Sequence, residues 1–308
     1  MTQRSLSSTV APAVVGAVAG APPARWRLVL SLFKLRIGVL IMVTALAGMA
    51  VVPGGSVSLV QALVLALSVL AASGAAGAFN QYVEADSDRL MPRTRQRAFA
   101  SGALVPHTGW LWLILGIATL AVGAAAWVVN GLAALFVALG AITYALIYTV
   151  GLKRRTAWNI VVGGLAGSFA VLAGAAAASP QIGPLALLLA LVLFLWTPPH
   201  FWSLAIANQA EYAAAGVPML PVVVGSARAA RIVHGHAIAL VAVSLLPLFF
   251  GAGWVYGLGA ALGGAHFLRR TAALARAPER RTALAAFFAS MVQLSALLAA
   301  VVVDAALR

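Results

Sequence analysis

Apolar positions along this chain run together in long blocks. Nine blocks are each about 20 residues long, enough for a helix to cross a bilayer core: 29–52, 56–79, 108–129, 131–150, 158–178, 183–206, 231–250, 253–269 and 284–304. The pattern predicts an all-α, polytopic membrane protein with nine transmembrane helices. The seventh and eighth blocks are divided only by Gly251–Gly253, so a single re-entrant hairpin is the alternative there. Residues 1–28 read as a loose cytoplasmic tail, and 29–308 as one transmembrane unit.

Composition agrees with this reading. The 308 residues are 63% hydrophobic and only 8% charged, unlike a soluble domain. The net charge of +14 does not call for nucleic acid, because the basic residues fall at span ends on one side. With the N-terminus inside, every Lys and Arg except Arg308 lies on the inner side, a strong positive-inside signal. There is no cysteine, which excludes disulfides and thiolate metal sites. The expected location is a multi-pass place in a bacterial inner membrane, with the chemistry at the cytoplasmic face.

The chain has only six acidic residues, and four sit in two short inner segments, FNQYVEADSDRLMPRTRQR and ANQAEYAAAGVPMLP. An ionisable group in such surroundings is costly and therefore a functional suspect. Asn80, Glu84 and Asp88 are spaced by four, so they share one helix face, while Asp86 points elsewhere. Two carboxylates and an amide make a hard-oxygen surface suited to Mg²⁺, which binds through few carboxylates plus substrate phosphates. Arg89, Arg93, Arg95 and Arg97 follow at once, and arginine suits bidentate phosphate contact. Lys153 and Arg154, in YTVGLKRRTAWN beside Tyr148, lie on the same side and extend a phosphate-holding surface. Glu211 lies near the same edge and could complete the metal site.

In FLWTPPHFWSLAI the prolines are expected to interrupt the sixth span and leave carbonyls free toward a cavity. His200 stands there among Trp196, Phe201 and Trp202. Its imidazole could ligate haem iron, polarise a substrate, or hydrogen-bond a freed carbonyl.

Three segments together resemble the membrane-embedded UbiA-type prenyltransferases, most closely their haem-accepting branch. They are N-x(3)-E-x-D-x-D-x(2)-M-x-R-T, YT-x(2)-LKRRT-x(2)-NIV-x-GG-x(2)-G, and FLWTPPHFWSLAI followed by EY-x(2)-AGVPMLPVV-x-G. The resemblance implies a nine-helix bundle around a central cavity. It implies transfer of farnesyl from farnesyl diphosphate to a vinyl of haem b with addition of water. Asn80, Glu84, Asp88 and Glu211 would hold Mg²⁺ as the catalytic metal set. Arg36, Arg93, Arg97, Tyr148, Lys153 and Arg154 would hold the diphosphate, and His200 would contact haem. The implied partners are haem b, farnesyl diphosphate and the lipid bilayer, with a haem A synthase or oxidase assembly factors as further candidates. Glu84 and Glu211 depart from the family's usual Asp. Leu35, Ala98 and Ala170-Val171 stand where proline is usual. Two alternatives stay open: a prenyltransferase with another acceptor, and a haem-binding protein that keeps the fold without turnover.

Overall fold

A computed structural model describes residues 24–307; among them the chain is helical, with no strand. The predicted tail falls mostly outside the described residues, as does Arg308. Residues 25–28 depart from that expectation, since they already belong to a helix.

The first rod is α1 (Arg25–Leu32) and α2 (Leu35–Ala50), a helix pair bent by 42° that is together long and apolar enough to span a membrane. The bend lies at Lys34, whose φ of +47° is left-handed. α3 (Leu59–Val83) returns, begun by a capping box in which Ser58 and Gln61 satisfy each other's backbone N–H. Short α4 (Ala85–Arg89) continues it after a break at Glu84.

α5 (Thr108–Ala124) runs into a π-helical turn at Ala125–Val129. α6 (Gly131–Ile142) runs into a longer π-helical stretch, Thr143–Leu152. Then come α7 (Asn159–Gly163), α8 (Leu165–Ala178), α9 (Pro184–Ala207), α10 (Gln209–Ala214) and α11 (Leu220–Val224). The last three rods are α12 (Ser226–Leu245), extended by a 3₁₀ turn to Phe250, α13 (Trp254–Arg276) and α14 (Arg280–Leu307).

Seven of these rods are long and apolar enough to cross a membrane, and the bent first pair is an eighth. α13 makes the ninth rod. Its 23 residues extend about 35 Å, longer than a bilayer core of about 30 Å, although Arg269, Arg270 and Arg276 make its inner half more polar. Blocks seven and eight form two helices, α12 and α13, joined at Gly251–Gly253. Seven to eight membrane-length spans among the described residues approximate the nine expected, and the protein is an integral membrane protein.

α9 differs from expectation: the helix runs through Pro198 and Pro199 without interruption. Hydroxyls crowd the carbonyls around the missing donors. Thr197 Oγ1 donates to Leu193 O at 3.0 Å, and Ser203 Oγ donates to Pro199 O at 2.6 Å. The carbonyls that lose their i→i−4 donors are Phe194 O and Leu195 O, and these two hydroxyl bonds flank them rather than replace the missing donors.

Small residues set the approach of α2 to α8. A Cβ at Gly174 would lie 1.8 Å from Ala45 O, and one at Gly48 would lie 2.2 Å from Val171 O. Backbone meets backbone there, as small-residue stripes allow. Val171 is fully buried in this contact and Ala170 lines the cavity described below, so the pair that stands in place of proline shapes both the helix crossing and the cavity wall. Gly174→Val is expected to force these helices apart and lower the melting temperature in detergent by several degrees or abolish folding, at a cost of at least 1–3 kcal/mol, on the order typical of overpacking. Gly167→Ala, on the same helix but with nothing within 4 Å of its added Cβ, is expected to leave melting unchanged. Equal melting of both variants would refute the close approach.

Candidate active site at the inner end of the bundle

Between α2, α3, α6, α8 and the inner loops lies a cavity of about 600 Å³. Its deep part is apolar, walled by Ile37, Ile41, Val69, Ala72, Phe136 and Val137. Its mouth is polar and carries Lys34, Asn80, Asp88, Arg93, Arg97 and Lys153. A long apolar chain with an anionic head fits this division.

Asn80, Glu84 and Asp88 come together as their spacing predicts, and each is at most 3% exposed. The helix breaks at Glu84, yet the i→i+4 bonding continues across the break: Glu84 N–H donates to Asn80 O, and Asp88 N–H donates to Glu84 O. Asp86 turns outward and pairs with Arg89 in solvent.

A carboxylate so buried needs a counter-charge. Glu84 Oε2 accepts from Asn80 Nδ2 at 2.8 Å and from Lys153 Nζ. Asp88 Oδ2 accepts from Arg97 at 2.7 Å. Asp88 Oδ1 and Glu211 Oε2 are buried with no hydrogen-bond partner. Among the described residues no three His, Cys, Asp or Glu side chains already form a metal-holding group. The carboxylates are instead held by the protein's own cations, and Asp88 Oδ1, at the cavity, is an acceptor left for a hard divalent ion. This donor chemistry fits Mg²⁺.

The phosphate-holding candidates divide. Arg93, Arg97, Tyr148 and Lys153 line the cavity; Arg36 and Arg154 are exposed and do not. Glu211 does not line it either, but its neighbour Tyr212 does, and Arg93 donates to the Tyr212 hydroxyl at 3.4 Å. Burial pushes the Tyr212 hydroxyl pKa up, against the pull of Arg93 and Arg97, so at neutral pH it is a neutral hydrogen-bonding group.

Sequence reasoning used Lys34 only for orientation, yet Lys34 sits in the site. Its Nζ donates to Asn80 Oδ1 at 2.7 Å and to the Tyr144 hydroxyl at 3.3 Å. The signal was available: Lys34 and Arg36 are two apart, so they cannot share a helix face. Tyr144 and Thr149 were also missed. They lie in the π stretch, where Thr149 Oγ1 donates to Tyr144 O and Lys153 N–H donates to Tyr148 O, each five residues back. This wider winding brings Tyr144, Tyr148, Thr149 and Lys153 toward one cavity, as π turns often do at functional sites. The Tyr144 and Tyr148 rings stack at 5.6 Å, and Asn80 Nδ2 donates to Thr149.

His200 lies apart from the cavity lining. Its ring is stacked between Trp196, at 4.2 Å, and Phe287, at 4.5 Å. It meets the edge of Phe201, which does line the cavity, at 5.0 Å.

The UbiA prenyltransferase family pattern matches residues 41–292. The chain belongs to the UbiA prenyltransferase family. It is 54% identical to protoheme IX farnesyltransferase 2 of Paramagnetospirillum magneticum, over 91% of this chain and 98% of that protein. It is 40% identical to protoheme IX farnesyltransferase of Marinobacter nauticus, over 91% and 92%. Solved structures give the same fold at low identity. One described for digeranylgeranylglyceryl phosphate synthase has a TM-score of 0.76 and 17% identity, covering 91% of this chain and 98% of that one. A UbiA homologue from Archaeoglobus fulgidus, bound to DMAPP and Mg²⁺, has a TM-score of 0.64 and 14% identity, covering 87% and 99%. In this UbiA member the all-helical membrane bundle is as expected, with the polar mouth at the end where Lys34, Arg93, Arg97 and Lys153 gather.

Within that mouth, Lys34→Ala is expected to weaken binding of a prenyl diphosphate by ten- to a hundredfold, the range for loss of a charged hydrogen bond of about 1.5–3 kcal/mol. Arg36→Ala and Arg154→Ala are expected to change it less than about threefold, as exposed charges do. Titration calorimetry with a non-hydrolysable prenyl diphosphate measures all three. A larger loss for Arg36 than for Lys34 would contradict this assignment.

Proposed function

We propose that the protein transfers a farnesyl group from farnesyl diphosphate to a vinyl group of haem b, with addition of water, giving haem o and diphosphate. The observation that carries this reading is the 54% identity to a protoheme IX farnesyltransferase along nearly the full length of both chains. The cavity supports it, with an apolar interior for the isoprenoid and a cationic mouth for the diphosphate.

The chemistry is an ionisation followed by an addition. The bond between farnesyl C1 and the diphosphate oxygen breaks, and its electron pair leaves with diphosphate. The allylic cation is attacked by the electron-rich vinyl of haem b. Water captures the carbocation formed on the vinyl carbon next to the porphyrin ring and loses a proton, leaving a hydroxyl. Arg93, Arg97, Lys34 and Lys153 offset the charge that grows on the leaving group. Asn80, Glu84, Asp88 and Glu211 are the residues that would hold Mg²⁺, which supplies further stabilisation of the leaving diphosphate when bound. Tyr144 and Tyr148 close the mouth beside these cations, and the apolar walls keep water from the cation before the vinyl reaches it. His200 is assigned to haem.

The gathering of the basic residues at one side of the spans supports a polar mouth on the cytoplasmic face of a bacterial inner membrane. The acceptor is haem b, and a haem A synthase or oxidase assembly factor is the class of partner that would receive the product.

The detergent-solubilised protein, given haem b, farnesyl diphosphate and Mg²⁺, is expected to yield haem heavier by farnesyl plus water, as measured by mass spectrometry, with EDTA suppressing the product. Glu84→Gln is expected to abolish turnover while haem b still binds. Haem b that binds but stays unmodified under conditions where an authentic synthase works would replace this reading with a haem-binding role. Full activity of Glu84→Gln would remove Glu84 from the metal set.

A further inference from the structure

His200 is held by more than stacking. Its Nδ1 lies 2.7 Å from Ser290 Oγ on α14. A serine hydroxyl has a single proton, and Ser290 Oγ lies 2.6 Å from Phe287 O, three residues back on the same helix, to which it donates. The carbonyl has no proton to give, so the hydroxyl proton is committed there. Ser290 Oγ must then accept from His200, and Nδ1 carries the proton. In a neutral imidazole the other nitrogen is bare. No described residue bonds Nε2, and it is not among the fully buried polar atoms that lack a partner. Its lone pair is available to a ligand.

The arrangement is tied at a second point. Trp196, which stacks on the imidazole, donates from Nε1 to Ser290 O at 2.8 Å. Ser290 is fully buried and His200 is 8% exposed. One residue of α14 therefore fixes both the ring and one wall of its aromatic slot.

We infer that Ser290 is a positioning residue: it holds His200 as the Nδ1–H tautomer and presents Nε2 as the donor to the iron of the haem substrate. This rests on the assignment of His200 to haem. A histidine that ligates a metal ordinarily donates its other N–H to a fixed acceptor, which sets the tautomer and ring orientation, and loss of that acceptor typically costs ten- to a hundredfold in affinity. Here the acceptor is a hydroxyl whose own proton is occupied. Ser290→Ala removes it without touching the Trp196 bond, which goes to the backbone.

Two readouts separate this inference from the reading beneath it. In protein labelled with ¹⁵N-histidine and free of haem, NMR is expected to show His200, assigned by its loss in His200→Ala, as the Nδ1–H tautomer. In Ser290→Ala that resonance is expected to shift toward the Nε2–H form. An Nε2–H tautomer in the wild type, or no change in Ser290→Ala, overturns the role of Ser290 whatever haem does. Titration with haem b is expected to show about tenfold weaker binding in Ser290→Ala, with the optical spectrum of the bound haem moving toward that of His200→Ala. Affinity for farnesyl diphosphate is expected to stay unchanged, since neither residue lines the cavity; this also checks that the variant is folded. Wild-type haem affinity and spectrum in Ser290→Ala, with both lost in His200→Ala, would overturn the positioning role and leave His200 as ligand. An unchanged spectrum in His200→Ala would overturn both.

Discussion

The structure depends on pairing two carboxylates with cations where almost no water reaches them. Glu84 and Asp88 are 3% and 1% exposed. Each has one oxygen committed to a cation, Lys153 and Arg97 respectively. Such pairs are weak evidence for stability, because desolvation offsets much of their attraction. Their use lies elsewhere. On the proposed function, the cations that hold the carboxylates in the free protein would hold the diphosphate, and the same carboxylates would hold the metal. Entry of a metal and a diphosphate together would then exchange one set of pairings for another without leaving a buried charge alone.

Local departures from regular helix are what make that exchange compact. The bend at Lys34 turns one ammonium inward, onto Asn80 and Tyr144, while Arg36 remains at the surface. The π stretch at the end of the fourth rod brings Tyr148, Thr149 and Lys153 to the same mouth. The break at Glu84 separates α3 from α4 without losing the bonding that aligns Asn80, Glu84 and Asp88. Regular rods supply the apolar wall, and each irregular joint supplies a polar group.

Much of this was legible in the sequence, and the residues show why. The apolar blocks became long helices because a bilayer leaves no other way to satisfy the backbone. The four-residue spacing of Asn80, Glu84 and Asp88 survived because local geometry alone fixes it. The missed residues, Lys34, Tyr144 and Thr149, depend on a bend and a π stretch that no hydrophobic period announces. The choice of Lys34 over Arg36 and of Lys153 over Arg154 is a matter of helix face, which a basic cluster at a membrane edge hides. The unbroken course of α9 through Pro198 and Pro199 is set by its packing in the bundle, which no local sequence pattern announces.

Linked occupancy of the mouth by metal and diphosphate is the claim on which the account turns. The most direct measurement is titration calorimetry of the wild-type protein with a non-hydrolysable farnesyl diphosphate analogue, in Mg²⁺ and in EDTA, together with Mg²⁺ alone. Exchange of pairings requires that Mg²⁺ alone bind weakly and that the two ligands strengthen each other by at least about tenfold, which is about 1.4 kcal/mol of coupling. Tight binding of Mg²⁺ alone, with analogue affinity equal in Mg²⁺ and EDTA, would contradict it.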